Sequence, residues 1–167
     1  MQSRLVFNAL THQYLIPGAQ IGAKVSLHPT SKDITDIFTV GRMVLPFDNG
    51  GCLQCQGLIS ASKLQEESLS PDERRAQRYV DSEEVPEPSV ITLNVLAAAQ
   101  VVTDLIMMFT GLYEEDLKLP HVYEFVQQRE ISYVDPAQRP NCIHCSHHER
   151  SSFARGDRSR LHCRQAN

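Results

Sequence analysis

Two pairs of cysteines have a spacing that is typical of metal ligands. Cys52 and Cys55 lie in "GGCLQC", directly after two glycines, and Cys142 and Cys145 lie in "NCIHC". Each C-x2-C pair predicts a turn, and two such turns can place four thiolates at the corners of a tetrahedron. The sequence therefore predicts one structural zinc site, which clamps together two distant parts of the chain.

Two other interpretations of these cysteines stay open at this point. The thiols could be free and buried at a coincidental spacing, or one pair could carry out reversible thiol–disulfide chemistry. Neither pair lies between a clear strand and a helix start, which disfavours the redox interpretation. The C-terminal segment offers further candidate ligands, for which solvated side chains are the simpler expectation. These are His144, His147, His148, His162 and Cys163.

A zinc ion with four thiolate ligands has a closed coordination shell. Such an ion has no open position for a water molecule, so it does not generate a nucleophile. The cysteines therefore account for stability, and they identify no catalytic residue.

Composition limits the class of protein and its partners. The chain has 167 residues, a net charge of −4 and a pI of about 5.9, which argues against nonspecific nucleic-acid binding. The N-terminus has no basic stretch followed by an apolar run and a cleavage site, so we expect no signal peptide and a cytoplasmic location. Five cysteines in a reducing compartment favour metal binding over a disulfide framework.

One apolar stretch, residues 89–112, is long enough to raise the question of a membrane span. Asn94, Gln100 and Asp104 interrupt it, and each is costly in lipid. We therefore expect a long buried helix and no membrane partner.

The remaining pattern predicts an α/β chain. Apolar periodicity favours a first helix, and a polar, acid-rich crossing separates the two halves of the sequence. Gly111 is expected to end the long helix, and after Cys145 the chain is basic and rich in His and Ser. The predicted elements are a helix over 2–15, strands over 19–27 and within 34–47, a polar crossing over 61–87 with a short helix around 71–79, a long helix from about 89, two strands within 119–134, and a flexible tail over 146–167.

This order of elements resembles the C-terminal half of the ThiF/MoeB/HesA adenylyltransferases, the bacterial relatives of ubiquitin-activating enzymes. "SRLVFNALTHQYLIP" resembles the family's R-x-x-x-N helix, with Arg4 and Asn8 at the matching positions. "IGAKV" resembles the strand that follows, and "GGCLQC" and "NCIHC" match the two zinc knuckles. "PSVITLNVLAAAQVVTDLIMMFTG" resembles the helix between the knuckles, and the likeness covers about residues 1–145.

The resemblance implies a chemistry. Members of the family bind ATP and magnesium on a Rossmann-like sheet and adenylate the C-terminal glycine of a ubiquitin-like protein. The glycine carboxylate attacks the α-phosphate and pyrophosphate leaves, a reaction that requires positive charge and a bound cation near the phosphates. By the resemblance, Arg4 and Asn8 are the candidate nucleotide-binding residues.

The sequence also departs from the family pattern. It begins inside the R-x-x-x-N motif, without the Asp that precedes the arginine, and none of its eight glycines forms a GxGxxG loop. Residues 61–87 contain no cysteine that could accept the activated protein as a thioester, and Cys163 is a remote candidate for a displaced acceptor.

Together these features lead to one expectation and one alternative. We expect residues 1–145 to form a partial ThiF-like domain with a mixed sheet, truncated and inactive alone, whose partners are a ubiquitin-like protein and either a second copy or the other part of a split enzyme. The alternative is a zinc-stabilised interaction module without catalytic activity.

Overall fold

A computed structural model describes residues 1–28, 30–31, 33–47, 50–70, 90–113 and 121–158. The chain divides into two compact units. The first unit comprises Met1–Pro17, Leu45–Val85 and Pro136–Asn167, and the second comprises Gly18–Val44 and Pro86–Asp135. All four cysteines of the two C-x2-C pairs belong to the first unit.

Helix α2 and the 3-10 helix were not predicted, and the other helices and strands of the described part follow the predicted order. The first unit contains helix α1, helix α2 and a short 3-10 helix, and the second contains helix α3 and four strands. Their bounds are α1 Gln2–Tyr14, β1 Gly18–Leu27, β2 Ile34–Val44, α2 Ala61–Ser68, α3 Ile91–Thr110, β3 His121–Phe125, β4 Glu130–Val134 and the 3-10 helix Gly156–Arg158.

Helix ends agree with simple local chemistry. Leu15 adopts a left-handed conformation at the end of α1 and stands just before Pro17, which helps to stop the helix. Gly111 ends α3 with a φ of 66°, as its position predicted. Ser60 caps α2 by accepting a hydrogen bond from the Lys63 amide. The short helix predicted around 71–79 and the start of the long helix at Ser89 lie outside the described residues.

The second unit is a four-stranded sheet in the order β1-β2-β3-β4. Every strand pair in the described part is antiparallel, with Gly18 opposite Val44, Gly41 opposite Val122 and Tyr123 opposite Ser132. The expected mixed sheet is therefore wrong for these strands. The connections from β1 to β2 and from β3 to β4 are short, and short connections favour antiparallel pairing.

Helix α3 packs on one face of this sheet, against β1 and β2. Leu93, Ala97 and Val101 are its buried residues. Gly41 permits the close approach, because a Cβ at that position would lie 2.5 Å from Val101 Cγ2. Strand β2 is buried at every position from Thr39 to Val44, so burial in this strand extends to side chains of both faces.

The expectation that α3 is buried is wrong for most of its circumference. Only 17% of its most apolar 18-residue window is buried, and its length and composition would also suit a membrane span. The physical reason is that one sheet covers one stripe of a helix, whereas an apolar helix needs cover on several sides.

The opposite face of the sheet holds a buried arginine and a buried histidine. Arg42 donates to Gln20 Oε1 at 2.7 Å and to the Tyr123 hydroxyl at 3.1 Å, and it lies over the Tyr123 ring. His121 is 1% exposed. Burial, reinforced by the positive charge of Arg42, lowers the pKa of His121 to about 4.

This shift predicts acid sensitivity. The unfolded chain binds a proton at His121 with a pKa near 6.5, so unfolding takes up a proton between about pH 6.5 and 4. We expect the free energy of unfolding to fall as pH is lowered through this window, by up to about 3 kcal/mol. Urea unfolding of the wild type and of His121→Gln at several pH values measures the difference. An equal pH dependence in both proteins would contradict the prediction.

Candidate metal centre

The first cysteine pair lies on a tight loop. Cys52 O accepts the Gln56 amide at 3.2 Å, and Leu53 O accepts the Leu58 amide at 3.0 Å. Gly57 has a φ of 71°, a left-handed conformation that suits glycine. The loop therefore turns back on itself directly after Cys55 and leaves both sulfurs buried on the inside.

The second pair lies on a similar loop. Cys142 O accepts hydrogen bonds from the Ser146 amide at 3.3 Å and from the Ser146 hydroxyl at 2.6 Å. The backbone amides of His144 and Cys145 are directed at the Cys142 sulfur and favour its thiolate. This arrangement provides anion-stabilising donors at a position where a metal needs a thiolate.

Short-range backbone contacts hold the two loops together. The Gly51 amide donates to Pro136 O at 2.8 Å, and Gly50 forms an antiparallel bridge with Ala137. The Arg139 amide lies 3.3 Å from the Cys55 sulfur and donates to it. The segments that precede the two cysteine pairs, at Gly50–Gly51 and at Pro136–Ala137, thus lie side by side.

The four sulfurs form one compact cluster, and their mutual distances are all within 4.8 Å. Cys52 Sγ lies 3.8 Å from Cys55 Sγ and 3.5 Å from Cys142 Sγ, and Cys55 Sγ lies 3.4 Å from Cys145 Sγ. A disulfide requires about 2.05 Å, so these are four free thiols. A tetrahedral zinc site with Zn–S bonds of about 2.3 Å places its sulfurs roughly 3.8 Å apart.

Thiols of the cluster differ in the direction of their pKa shifts. The pKa of Cys52 is raised by the neighbouring Cys142 and Cys145 thiols and by burial. The pKa of Cys142 is lowered by hydrogen bonds from Cys145 and Cys52, whereas the Cys142 neighbour raises the pKa of Cys145 to about 12. When no cation is bound, burial makes it costly to ionise several of these thiols at once. A divalent metal ion removes this free-energy cost, because it takes the place of the protons.

The chemistry and spacing of the four sulfurs therefore fit a structural metal ion. Thiolate ligands in a tetrahedral arrangement suit zinc, although the four close cysteines by themselves establish only a metal site. The coordination shell would be closed, and its contribution would be to hold the two loops together.

Helix α1 supports the first cysteine loop through the two residues that the family resemblance had assigned to nucleotide binding. Asn8 is fully buried, and its Oδ1 accepts the Leu53 amide at 3.0 Å. Arg4 Nη1 donates to Leu58 O at 2.9 Å. The structure thus places both side chains against the loop that carries Cys52 and Cys55, and their role with a nucleotide stays a prediction.

The C-terminal segment reaches the same helix. The Ala154 amide donates to His12 O at 2.9 Å, and the Ser152 amide donates to Ile143 O at 2.8 Å. Tyr14 donates to Asp157 at 2.6 Å. Residues 146–158 thus have specific contacts, while 159–167, including His162 and Cys163, lie outside the described part.

The histidines near the second pair lie outside the sulfur cluster. His144 is buried between Cys142 and Cys145, whereas His147 and His148 are exposed. The His147 ring packs edge-on against Phe153 at 4.9 Å. Among the described residues, the metal-ligating group consists of the four cysteines.

Two features of the site were not predicted from the sequence. Gly51 allows close contact between the loops, because a Cβ there would lie 2.3 Å from Ala137 O. Asn8 satisfies the buried Leu53 amide. The glycine directly before Cys52 was the available signal for the first feature, whereas the second depends on tertiary placement.

No protein-family model matches the chain, and no curated protein sequence matches it significantly. The likeness to ThiF-type adenylyltransferases therefore depends on the motifs and their order.

Proposed function

We propose that this chain forms the metal-stabilised part of a ThiF-like enzyme that activates a ubiquitin-like protein. The observation that carries the proposal is that two C-x2-C pairs, distant in sequence, close into one four-sulfur cluster. The order of helix, strands, knuckle, helix, strands and knuckle adds support. The antiparallel strands would then belong to the C-terminal portion of a Rossmann-type fold.

In this proposal, the metal has a structural role. Cys52, Cys55, Cys142 and Cys145 would hold zinc, which supplies a closed tetrahedral clamp and no catalysis. The buried aliphatic residues in the described part of the first unit are Ala9, Leu53 and Ile59. Because so small an apolar core provides little stability, a metal clamp is the expected compensation.

In this proposal, the ATP chemistry needs features that this sequence does not contain. Adenylation needs a phosphate-binding loop and an acidic magnesium ligand, and the sequence contains no GxGxxG motif. Arg4 and Asn8 are the two positions that match the family's nucleotide side. Their contacts with the Leu58 carbonyl and the Leu53 amide would make any nucleotide contact depend on the integrity of the metal loop.

A zinc-stabilised interaction module is the second candidate function. Two observations favour this function. Arg4 and Asn8 form hydrogen bonds with backbone groups of the first unit, and α3 has exposed apolar side chains. In such a module, the metal centre would fix the fold, and binding would take place on other surfaces.

We expect the chain alone to show no ATP–pyrophosphate exchange with a ubiquitin-like protein. The assay compares wild type, Arg4→Ala and Arg150→Ala, an exposed arginine of the same unit that serves as the matched control. Exchange above the blank that is lost in Arg4→Ala and kept in Arg150→Ala would overturn the prediction and make Arg4 a catalytic candidate.

The coding DNA separates the two candidate functions. An in-frame segment upstream of Met1 that encodes a strand followed by a glycine-rich loop would decide for the enzyme. A stop codon directly upstream would favour the interaction module.

A further inference from the structure

Helix α3 and the residue after its glycine cap expose a line of large apolar side chains. Their exposed fractions are 76% for Ile91, 60% for Val95, 52% for Val102, 71% for Phe109 and 66% for Leu112. An exposed apolar surface of this length is unusual for a monomer and marks an interaction site.

These side chains follow a heptad repeat. Val95, Val102 and Phe109 are seven residues apart, and Ile91, Ala98, Leu105 and Leu112 form a second series at the same interval. Those within the helix, from Ile91 to Phe109, occupy the a and d positions of a coiled-coil seam, which we call the α3 seam. Leu112 follows the left-handed Gly111 and lies beyond the end of the seam. The residues that face the sheet, Leu93, Ala97 and Val101, lie about a third of a turn away. The seam is therefore available while α3 stays packed on the sheet.

The charge pattern favours a second copy of this chain as the occupant. Between Val90 and Leu112 the only charged residue is Asp104, which lies off the seam and accepts a hydrogen bond from the Tyr113 hydroxyl. The positions that flank the seam therefore carry no charges that would select an oppositely charged helix or repel an identical one. A self-complementary apolar seam suits a two-fold symmetric pair.

The sizes of the side chains favour an antiparallel pair. With Val102 opposite Leu105 of the second copy, Ala98 falls opposite Phe109. Each layer then combines a smaller with a larger side chain, which fills space evenly. A parallel pair would instead place Phe109 against Phe109 and Ala98 against Ala98, with crowding in one layer and a gap in another. Opposed helix dipoles also favour the antiparallel arrangement.

A lipid bilayer is a poorer occupant for the same surface. To enter hydrocarbon while packed on β1 and β2, α3 would carry an open sheet edge with unpaired backbone groups into the bilayer. Leaving the sheet would expose Leu93, Ala97 and Val101 and the cleft at Gly41 that holds Val101.

We propose that the α3 seam binds the α3 seam of a second copy of this chain in an antiparallel, two-fold symmetric helix pair. This inference is independent of the proposed function, because it concerns the second unit and needs neither nucleotide nor metal. It would hold equally for an interaction module without catalytic activity.

Sedimentation velocity of the full chain from about 1 to 100 μM tests the inference. We expect a concentration-dependent dimer that Val102→Asp and Phe109→Asp each abolish. Thr103→Asp introduces the same charge one residue away, at an exposed position off the seam, and is expected to leave the dimer intact. Circular dichroism should show equal helix content in all variants, because the substituted side chains are exposed in the monomer.

Exchanging the sizes of two opposed side chains tests whether the two helices pair in the antiparallel orientation. Ala98→Phe should weaken the dimer at least tenfold, and combining it with Phe109→Ala should restore most of the affinity. A wild-type monomer at 100 μM, or a dimer insensitive to Val102→Asp, would overturn the proposal. Co-sedimentation of a monomer with phosphatidylcholine–phosphatidylglycerol vesicles, lost in the same variant, would overturn it in favour of a membrane surface.

Discussion

Replacing Cys142 with serine is expected to release the metal ion and to unfold the first unit. Cys142 is 6% exposed and lies 3.5 Å from Cys52 Sγ, so a weakly ligating hydroxyl there opens the coordination shell. Structural zinc sites contribute about 10 kcal/mol or more to folding. A unit whose described buried aliphatic residues are Ala9, Leu53 and Ile59 cannot compensate for such a loss.

The experiment compares metal content and amide hydrogen exchange in three proteins. In Cys142→Ser, we expect less than 0.1 of the wild-type metal content, on the order of a tenfold loss or more, and loss of protection at the Leu53 and Leu58 amides, which are hydrogen-bonded in the cysteine loop. Cys163→Ser removes the fifth cysteine and is the matched control, with wild-type behaviour expected. Full metal retention and protection in Cys142→Ser would show that the four thiols do not form one site.

Replacing Gly51 with alanine is expected to have the second-largest effect, although it changes no ligand. A Cβ at Gly51 would lie 2.3 Å from Ala137 O and 2.7 Å from Ala137 C. Both are backbone atoms, so the clash is relieved only if the two loops separate. That movement would displace Cys52 from the second pair. It should reduce metal affinity about 10–100-fold, the effect that is typical when residues that orient the metal ligands are mutated.

Gly50→Ala is the matched control for this prediction. The nearest atom to a Cβ at Gly50 is Pro136 Cγ at 4.0 Å, an ordinary contact. Competition with a chromogenic zinc chelator should therefore give wild-type affinity for Gly50→Ala and the reduced affinity for Gly51→Ala. Equal affinities in the two variants would contradict the close loop contact that brings the cysteine pairs together.

The sequence predicted the elements whose signals are local. The period of α1 and Gly111 at the end of α3 each reflect the preference of a short segment. The cysteine pairs were predicted for the same reason, because a C-x2-C spacing already specifies a turn with two sulfurs on one side. These four sulfurs do lie together and could hold one metal ion.

Features that depend on distant parts of the chain were harder to predict. The antiparallel order of the sheet follows from which strands meet, and the hydropathy of α3 did not reveal how little of it the sheet covers. The contact between Asn8 and the Leu53 amide is likewise tertiary. A buried asparagine that caps a loop and one that contacts a ligand have the same local sequence, so only the fold distinguishes them.

The metal content of the purified wild-type chain tests the central claim most directly. Elemental analysis is expected to give about one zinc per chain, since four thiolates complete one tetrahedral site. Cys52, Cys55, Cys142 and Cys145 should be protected from thiol reagents until a chelator is added. A protein without zinc or another bound metal, in which these four thiols react freely, would contradict the metal centre and the account built on it.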